Sequence, residues 1–181
     1  MTICFFRREA GLGFDAPSLP QGVSLRVWTP SQRPKSGRSL AVWLQNRAGL
    51  FADDRFAELS LWHGNELVHR LIVTPRWHRF PFMERGDLQL GGLWTHSAHR
   101  RRGFALAAMN EAHRRFGGPG QRFWYVAEAN NLSSGALARA AGYSQVGTGR
   151  RTSPAGIRLL GQFRMDQPAA TQPRRPIPTG Y

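Results

Sequence analysis

The sequence is poor in cysteine and long apolar runs, and each shortage excludes a class of protein. Cys4 is the only cysteine among 181 residues, which excludes an internal disulfide and suggests a reducing compartment. No apolar run approaches the roughly 20 residues that a transmembrane helix needs. The first residues, MTICFFRREAG, lack a secretory signal core because two arginines follow Phe6. We therefore expect a cytoplasmic protein without a membrane span.

Acidic residues and lysine are also scarce, so the charge balance is strongly basic and rests on arginine. The chain has 25 Lys and Arg against 11 Asp and Glu, a net charge of +14, and Lys35 is its only lysine. Two interpretations stay open. Either GC-rich codon usage has replaced lysine with arginine, or the protein has an anionic partner, which would be a nucleic acid or a phosphorylated small molecule. Charge alone does not choose between them.

Length and composition indicate one folded domain with tails. A hydrophobic fraction of 41% in 181 residues suits a folded protein with a sizeable core. We expect an N-terminal segment at residues 1–22 and a single domain at residues 23–166. The last stretch, residues 167–181, is rich in proline and arginine, so we expect a disordered tail there.

Alternating apolar and polar residues predict a mixed α/β fold. The predicted helices are the stretch that follows the arginines at 100–102 and ends before Gly117, and residues 133–141 with Gly142 after them. Gly64 and Asn65 form the turn of a predicted hairpin, and the glycine pair at 91–92 suggests a bulge. The predicted strands are residues 23–28, 39–44 (which could instead open a helix), 58–73 as the hairpin, 87–95, 122–129, 143–151 and 157–165. This order implies a sheet with a parallel pair near its middle.

The stretch HRRRGFALAAMNEAHRRFGG, residues 99–118, begins with an electrostatic conflict. Arg100, Arg101 and Arg102 precede the helix, where the positive end of the helix dipole disfavours further positive charge. A bound anion removes the conflict, because the free N–H groups of the first turn attract phosphate. Gly103 permits close approach of the backbone to such a ligand. A pyrophosphate fits this description.

Two motifs carry a resemblance to a known family. Arg100-x-x-Gly103-x-Ala105, between a strand and a helix, resembles the acetyl-CoA pyrophosphate loop of the GNAT acyltransferase superfamily. NLSSGALARAAGY, about thirty residues later, resembles a second element of that family. The matching positions are Asn131, Ser134, Leu137, Gly142 and Tyr143. The resemblance implies a mixed, mostly antiparallel central sheet with a splayed parallel pair, flanked by helices.

The same resemblance implies acetyl-CoA as cosubstrate and assigns residues to it. The thioester would lie in the gap between residues 87–95 and 122–129. Asn131 would touch the pantetheine or cap the last helix. The implied cofactor-binding residues are Leu93, Trp94, Thr95, Arg100, Arg101, Arg102, Gly103, Phe104, Ala105, Asn131 and Ser134. No metal ligands are predicted.

The catalytic groups are harder to assign from the sequence. Acyl transfer needs a base for the nucleophile, an oxyanion stabiliser and an acid for the thiolate. The family often has a glutamate as base near the position of Gln89, which cannot titrate. We therefore predict Asp87 and His69 as the catalytic candidates, with Glu84 behind them. A base acting through water, or no base, stays open.

The acid is equally open. The family often has a tyrosine at the position of Ala138, so Tyr143 or Tyr125 would have to substitute, unless both simply pack in the core. Four tryptophans are candidates either for an acceptor groove or for core packing. They are Trp62, Trp77, Trp94 and Trp124.

The resemblance implies an acetyltransferase that acts on the amine of a small molecule. The stretches HRLIVTPRWHRFPFM and DLQLGGLWTH are similar to a GNAT subgroup among bacterial polysaccharide-biosynthesis proteins, so an amino sugar is one candidate acceptor. One alternative is a GNAT-fold protein that binds acyl-CoA without catalysis, because Gln89 and Ala138 replace titratable groups. A nucleic-acid-binding module is the second alternative, although the scattered arginines argue against it. A homodimer is left open.

Overall fold

The computed structural model describes residues 1–9, 19–34, 37–154 and 161–168. Within these residues one sheet of eight strands has the order β2-β3-β4-β5-β6-β1-β7-β8. The elements are β1 Thr2–Glu9, β2 Val23–Trp28, α1 Gly37–Arg47, β3 Ala57–His63, β4 Glu66–Pro75, β5 Leu88–Thr95, α2 Phe104–Phe116, β6 Arg122–Glu128, α3 Leu132–Ala140, β7 Ser144–Arg151 and β8 Phe163–Pro168. Among these strands only β5 and β6 pair in parallel. The predicted mixed, mostly antiparallel sheet is confirmed.

Both faces of the sheet are covered by apolar side chains. Phe123 belongs to the main core, which contains Met109 of α2 and Ala138 of α3. Its neighbour Trp124 belongs to a separate cluster with Phe80. Because successive side chains of a strand point to opposite faces, α2 and α3 cover one face, and the loop that contains Phe80 covers part of the other.

Two local predictions around β4 and β5 are confirmed. Gly64 and Asn65 connect β3 to β4, and Gly64 has the positive φ of +59° that such a turn favours. In the β4–β5 ladder Arg70 pairs with Trp94 and Ile72 with Gly91, so two residues of β5 oppose one of β4. This is a bulge at the glycine pair, where Gly92 has a φ of +59°.

The strand interpretation of residues 39–44 is wrong, and the helical alternative is right. These residues lie in α1, Gly37–Arg47. The run SLAVWL is short, and periodicity alone does not separate a short apolar strand from a helical segment. Of the strand predicted at 157–165, residues 157–160 lie outside the described residues, and β8 begins at Phe163. No helix among the described residues is long and apolar enough to cross a membrane.

The structure places β1 inside the sheet, whereas the sequence analysis put residues 1–22 before the domain. β1 pairs antiparallel with β6 on one side and with β7 on the other. The sequence pattern did not predict this strand, because the charged Arg8 interrupts its apolar residues. Its guanidinium is buried, donates to the carbonyl oxygen of Ala141 at 2.8 Å and lies 2.8 Å from Nδ1 of His113. At the other boundary, residues 167–168 belong to β8 and residues 169–181 lie outside the described residues.

Candidate functional site

The parallel strands β5 and β6 stay together over only three residue pairs. Their register runs from Leu88 with Phe123 to Leu90 with Tyr125. Beyond that point β5 continues along β4, and β6 continues along β1. A strand that pairs on one side only leaves the N–H and C=O groups of its other edge without ladder partners. Among the described residues, the two strands therefore border a gap in which their facing backbone edges have no ladder partners.

A cleft of about 390 Å³ lies at this gap. β5 and β6 contribute its walls, and the first turns of α2 and α3 close its end. The lining residues are Leu93, Thr95, His99, Arg100, Arg101, Gly103, Phe104, Ala105, Leu106, Tyr125, Ser133, Ser134 and Leu137. Apolar side chains and groups that attract anions thus share one concave surface.

The loop before α2 has the geometry of an anion site. Gly103 has a φ of +79°, and Arg101 has a φ of +61°, which is rare for a residue with a side chain. The first helical bond is donated by the N–H of Ala107 to the carbonyl of Gly103 at 2.9 Å. The N–H groups of the preceding turn consequently have no partner within the helix. Gly103, Phe104 and Ala105 all line the cleft, so this end can hold a phosphate.

The start of α3 lines the cleft from the other side. Asn131 caps this helix, since its Oδ1 accepts from the N–H of Ser134 at 3.1 Å and from the hydroxyl of Ser133 at 2.9 Å. Capping was one of the two roles considered for Asn131, and ligand contact stays a prediction. Because helix N-termini carry partial positive charge, α2 and α3 both make the cleft attractive to anions.

The structure brings most of the predicted cofactor-binding residues together. Eight of them line the cleft: Leu93, Thr95, Arg100, Arg101, Gly103, Phe104, Ala105 and Ser134. Trp94, Arg102 and Asn131 are not among the lining residues. Trp94 is 37% exposed, and the centroid of its ring lies 5.6 Å from the guanidinium carbon of Arg70. Whether these residues bind a cofactor stays a prediction.

Asp87 lies just before β5, at the opposite end of the strand from the cleft. Its side chain is buried and accepts three hydrogen bonds: from Nε of Arg122 at 2.8 Å, from Nε1 of Trp124 at 2.8 Å and from the N–H of Glu84 at 2.9 Å. The exposed carboxylate of Glu84 also accepts from Arg122, which lowers the pKa of Glu84. Neither acidic residue lines the cleft.

His69 is closer to the cleft but does not reach it. The imidazole is fully buried, and its Nδ1 lies 2.8 Å from Oγ1 of Thr95, which lines the cleft. Burial lowers the pKa of His69 to about 4, so the ring is neutral at physiological pH. One hydroxyl group therefore separates this histidine from the cleft.

The candidate acids differ in their access to the cleft. Tyr125 lines it, and burial raises the pKa of its hydroxyl although a hydrogen bond with Ser134 lowers it. Tyr143 is buried beside His113, with 2.8 Å between the hydroxyl and Nε2, and does not line the cleft. Ala138 is fully buried. Of the two tyrosines, only Tyr125 lines the cleft.

Other candidate positions serve packing, and one residue that lines the cleft was not predicted. The side-chain amide of Gln89 donates to the carbonyl of Leu90 at 2.7 Å. Trp124 is buried, and Trp77 packs between two apolar clusters. The sequence analysis missed His99, which lines the cleft and whose one signal was its place directly before Arg100.

Comparison with known sequences decides the family. The sequence model of the acetyltransferase (GNAT) family matches residues 23–143, two thirds of the chain. The chain belongs to this family. The GNAT match includes both strands of the gap and both helices that line the cleft. No curated protein matches the chain.

Solved structures agree with the GNAT fold. A GCN5-related N-acetyltransferase from Sphaerobacter thermophilus has a TM-score of 0.54 at 17% identity, covering 81% of this chain and 49% of that one. A GCN5-related N-acetyltransferase from Kribbella flavida has a TM-score of 0.50 at 16% identity, covering 80% and 55%. A Drosophila protein has a TM-score of 0.55 at 18% identity, covering 81% and 48%. The chain thus spans about half the length of these proteins, and at such identities the likeness shows the fold alone.

Proposed function

We propose that this GNAT protein transfers an acetyl group from acetyl-CoA to the amine of a small molecule. One observation carries the proposal: the splayed strands enclose a cleft on which two helix N-termini and the side chains of Arg100 and Arg101 converge. Membership in the GNAT family supports it, since acetyltransferases of this family bind acetyl-CoA and an acceptor.

The donor would lie along the cleft with its phosphates at α2. The pyrophosphate would accept hydrogen bonds from the first turn, next to Gly103, while Arg100 and Arg101 neutralise its charge. The pantetheine arm would follow the unpaired edge of β5 from Thr95 towards Leu93. Leu106 and Leu137 supply apolar contacts for the arm. The thioester would then reach the gap where β5 and β6 separate.

The chemistry would be direct attack of the amine nitrogen on the thioester carbonyl. The C–S bond breaks, the sulfur leaves as thiolate, and Tyr125 would donate a proton to it, because a raised pKa keeps the phenol protonated. His69 is the nearer of the two predicted bases. Its pKa of about 4 makes it a weak proton acceptor, so it would orient the hydroxyl of Thr95 while the amine loses its proton to water.

We propose more specifically that the acceptor is an amino sugar. The partly exposed ring of Trp94 lies on the strand that borders the gap, with Arg70 beside it. An apolar ring face next to a cation can pack against a sugar ring and bind its polar substituents. This arrangement supports a sugar that carries an amine, in line with the similarity to polysaccharide-biosynthesis members of the family.

Calorimetry with acetyl-CoA tests the donor site. The wild type should bind saturably, and Gly103→Glu should weaken binding by about 100-fold, because a side chain is strained at a φ of +79° and a carboxylate repels the phosphates. The matched control is Gly118→Glu, at an exposed glycine without a positive φ. This control should bind like the wild type. Absence of binding by the wild type would refute the proposal.

Thiol release over a panel of amines and amino sugars tests the transfer step. Tyr125→Phe should lower kcat by about 10²-fold with little change in KM for acetyl-CoA, since only the proton donor is removed. The competing function is an acyl-CoA-binding protein without catalysis. Two observations favour it. The carboxylate of Asp87 is already occupied by three hydrogen-bond donors, and the position where the family often has a tyrosine is the buried Ala138. It predicts acetyl-CoA binding without thiol release for every amine tested.

A further inference from the structure

Two histidines flank a single 3₁₀ turn between β5 and α2. His96 precedes the turn, and His99 is its last residue. A 3₁₀ helix has three residues per turn, so side chains at positions i and i+3 lie on the same side. Accordingly the two imidazole rings are neighbours, with 5.7 Å between their centroids.

Glu66 completes the group from the first position of β4. The N–H of His96 donates to the carbonyl of Val68 at 3.0 Å, which holds the 3₁₀ turn against the start of β4. The carboxylate of Glu66 then lies between the rings: one oxygen is 3.1 Å from Nε2 of His99, and the other is 3.7 Å from Nδ1 of His96. One potential ligand atom from each residue lies within 4.8 Å of the other two.

His99 and Glu66 share a hydrogen bond, but two imidazole nitrogens of the group have no hydrogen-bond partner among the described residues. Nδ1 of His96 is shielded from solvent, faces the carboxylate and makes no hydrogen bond there, and Nδ1 of His99 also has no such partner. Two imidazole nitrogens and a carboxylate oxygen are a donor set that Zn²⁺ and similar divalent transition metals accept. We propose that Glu66, His96 and His99 bind one such ion, with Zn²⁺ as the first candidate.

The ion would join two parts of the chain that are distant in sequence. It would tie the β3–β4 turn to the loop before α2, and His99 would place it at the edge of the cleft. Three protein ligands leave a coordination position for water. The ion would thereby fix the segment that leads into the left-handed Arg101 and Gly103. This site does not depend on acetyl transfer.

Zinc titration of the full chain tests the site. Protein stripped with a chelator and dialysed is titrated with ZnCl₂ by calorimetry, and bound zinc is counted by mass spectrometry. We expect one Zn²⁺ per chain. Loss of an outer partner of a ligand typically weakens metal binding by 10–100-fold, so Glu66→Gln and His96→Ala, which remove direct ligands, should each weaken it by about 100-fold or more.

The control is His78→Ala, which removes an exposed imidazole outside the cluster and should bind zinc like the wild type. Thermal unfolding gives a second readout: Zn²⁺ should raise the Tm of the wild type and of this control, and leave the Tm of His96→Ala unchanged. Glu66 and His96 side chains are 50% and 40% exposed, so their variants should fold. Sub-stoichiometric binding, or stoichiometric binding that survives both ligand substitutions, would overturn the proposal.

Discussion

The two ends of the β5–β6 pair differ in how their polar groups are satisfied. At the end where the strands begin, Asp87 accepts from Arg122 and Trp124, and the guanidinium of Arg55 donates to Gln121 at 2.6 Å and to the carbonyl of Gly86 at 2.8 Å. At the other end the strands part, and the polar groups of two helix starts line an open cleft.

The difference shows how one pair of strands can be held together at one end, the anchored end at Asp87, and separated at the other, the open end at the cleft. Side chains that satisfy one another fix the register of β5 against β6 at the anchored end. Past Leu90 and Tyr125 each strand follows a different neighbour, so the gap width is set by β4 and β1. The first turns of α2 and α3 line this open end, where a ligand can accept hydrogen bonds from their N–H groups. Substitutions at the two ends should therefore affect different properties.

The largest effect is expected at the anchored end. Asp87→Ala should lower the free energy of unfolding by about 3 kcal/mol, because it leaves the buried indole N–H of Trp124 and the Nε–H of Arg122 without their acceptor. Urea unfolding measures this loss. Calorimetry well below the Tm should show acetyl-CoA affinity within about threefold of the wild type.

Glu84→Gln is the matched control for that variant, since it alters an exposed acceptor of the same arginine. It should unfold almost like the wild type, because an exposed ion pair contributes little. If Asp87→Ala kept full stability yet abolished turnover, the carboxylate would be catalytic and the division between the two ends would fail.

A smaller effect is expected from pH at the open end. The pKa of His69 is about 4 in the folded protein against 6.5 in the unfolded chain, so the unfolded chain takes up a proton first as the pH falls. The contribution of His69 to the free energy of unfolding is complete above the unfolded pKa and declines below it, by about 2 kcal/mol at about pH 5. Urea unfolding between about pH 8 and about pH 5 measures the slope.

His69→Gln should have a flatter profile in the same pH range, because glutamine does not titrate. His113, whose pKa burial lowers to about 3, should keep part of the acid sensitivity in that variant. Identical slopes for the variant and the wild type would mean that His69 does not contribute to acid unfolding.

The smallest effect is expected from the cap of α3. Asn131→Ala should lower the free energy of unfolding by about 1 kcal/mol, since the N–H of Ser134 loses its acceptor. Acetyl-CoA affinity should fall a few-fold at the same time, because the freed first turn lines the cleft. The neighbouring exposed Asn130→Ala is the control for both measurements, and equal effects from the two variants would exclude a special role for the cap.

Sequence patterns predicted those parts of the fold that depend on local chemistry. The Gly64-Asn65 turn, the glycine bulge in β5 and the end of α3 at Gly142 all follow from backbone conformations that glycine favours. The conformation of the loop before α2 was predictable for the same reason, since Gly103 and the first turn of α2 are contiguous in the chain.

Features that depend on distant partners were not predictable in this way. The burial of Arg8 in β1 depends on its partners His113 and Ala141, which are more than a hundred residues away in the sequence. Asp87 and His69 were chosen for their chemistry, but their access to the cleft depends on neighbours from other elements. Glu66 and the histidines at 96 and 99 are separated by about thirty residues, and only the β4–β5 pairing brings them together.

The central position of β1 also has a kinetic consequence. Phe5 pairs with Val126 and with Gly147, so more than a hundred residues must be synthesised between the strand and its partners. At the usual 5–20 residues per second, Ile3, Phe5 and Phe6 stay without their neighbours for roughly 6–25 seconds on the ribosome. Long-range pairing of this kind also slows folding in solution. The central strands of the sheet therefore pair late in synthesis, although β1 is the first of the described strands in the chain.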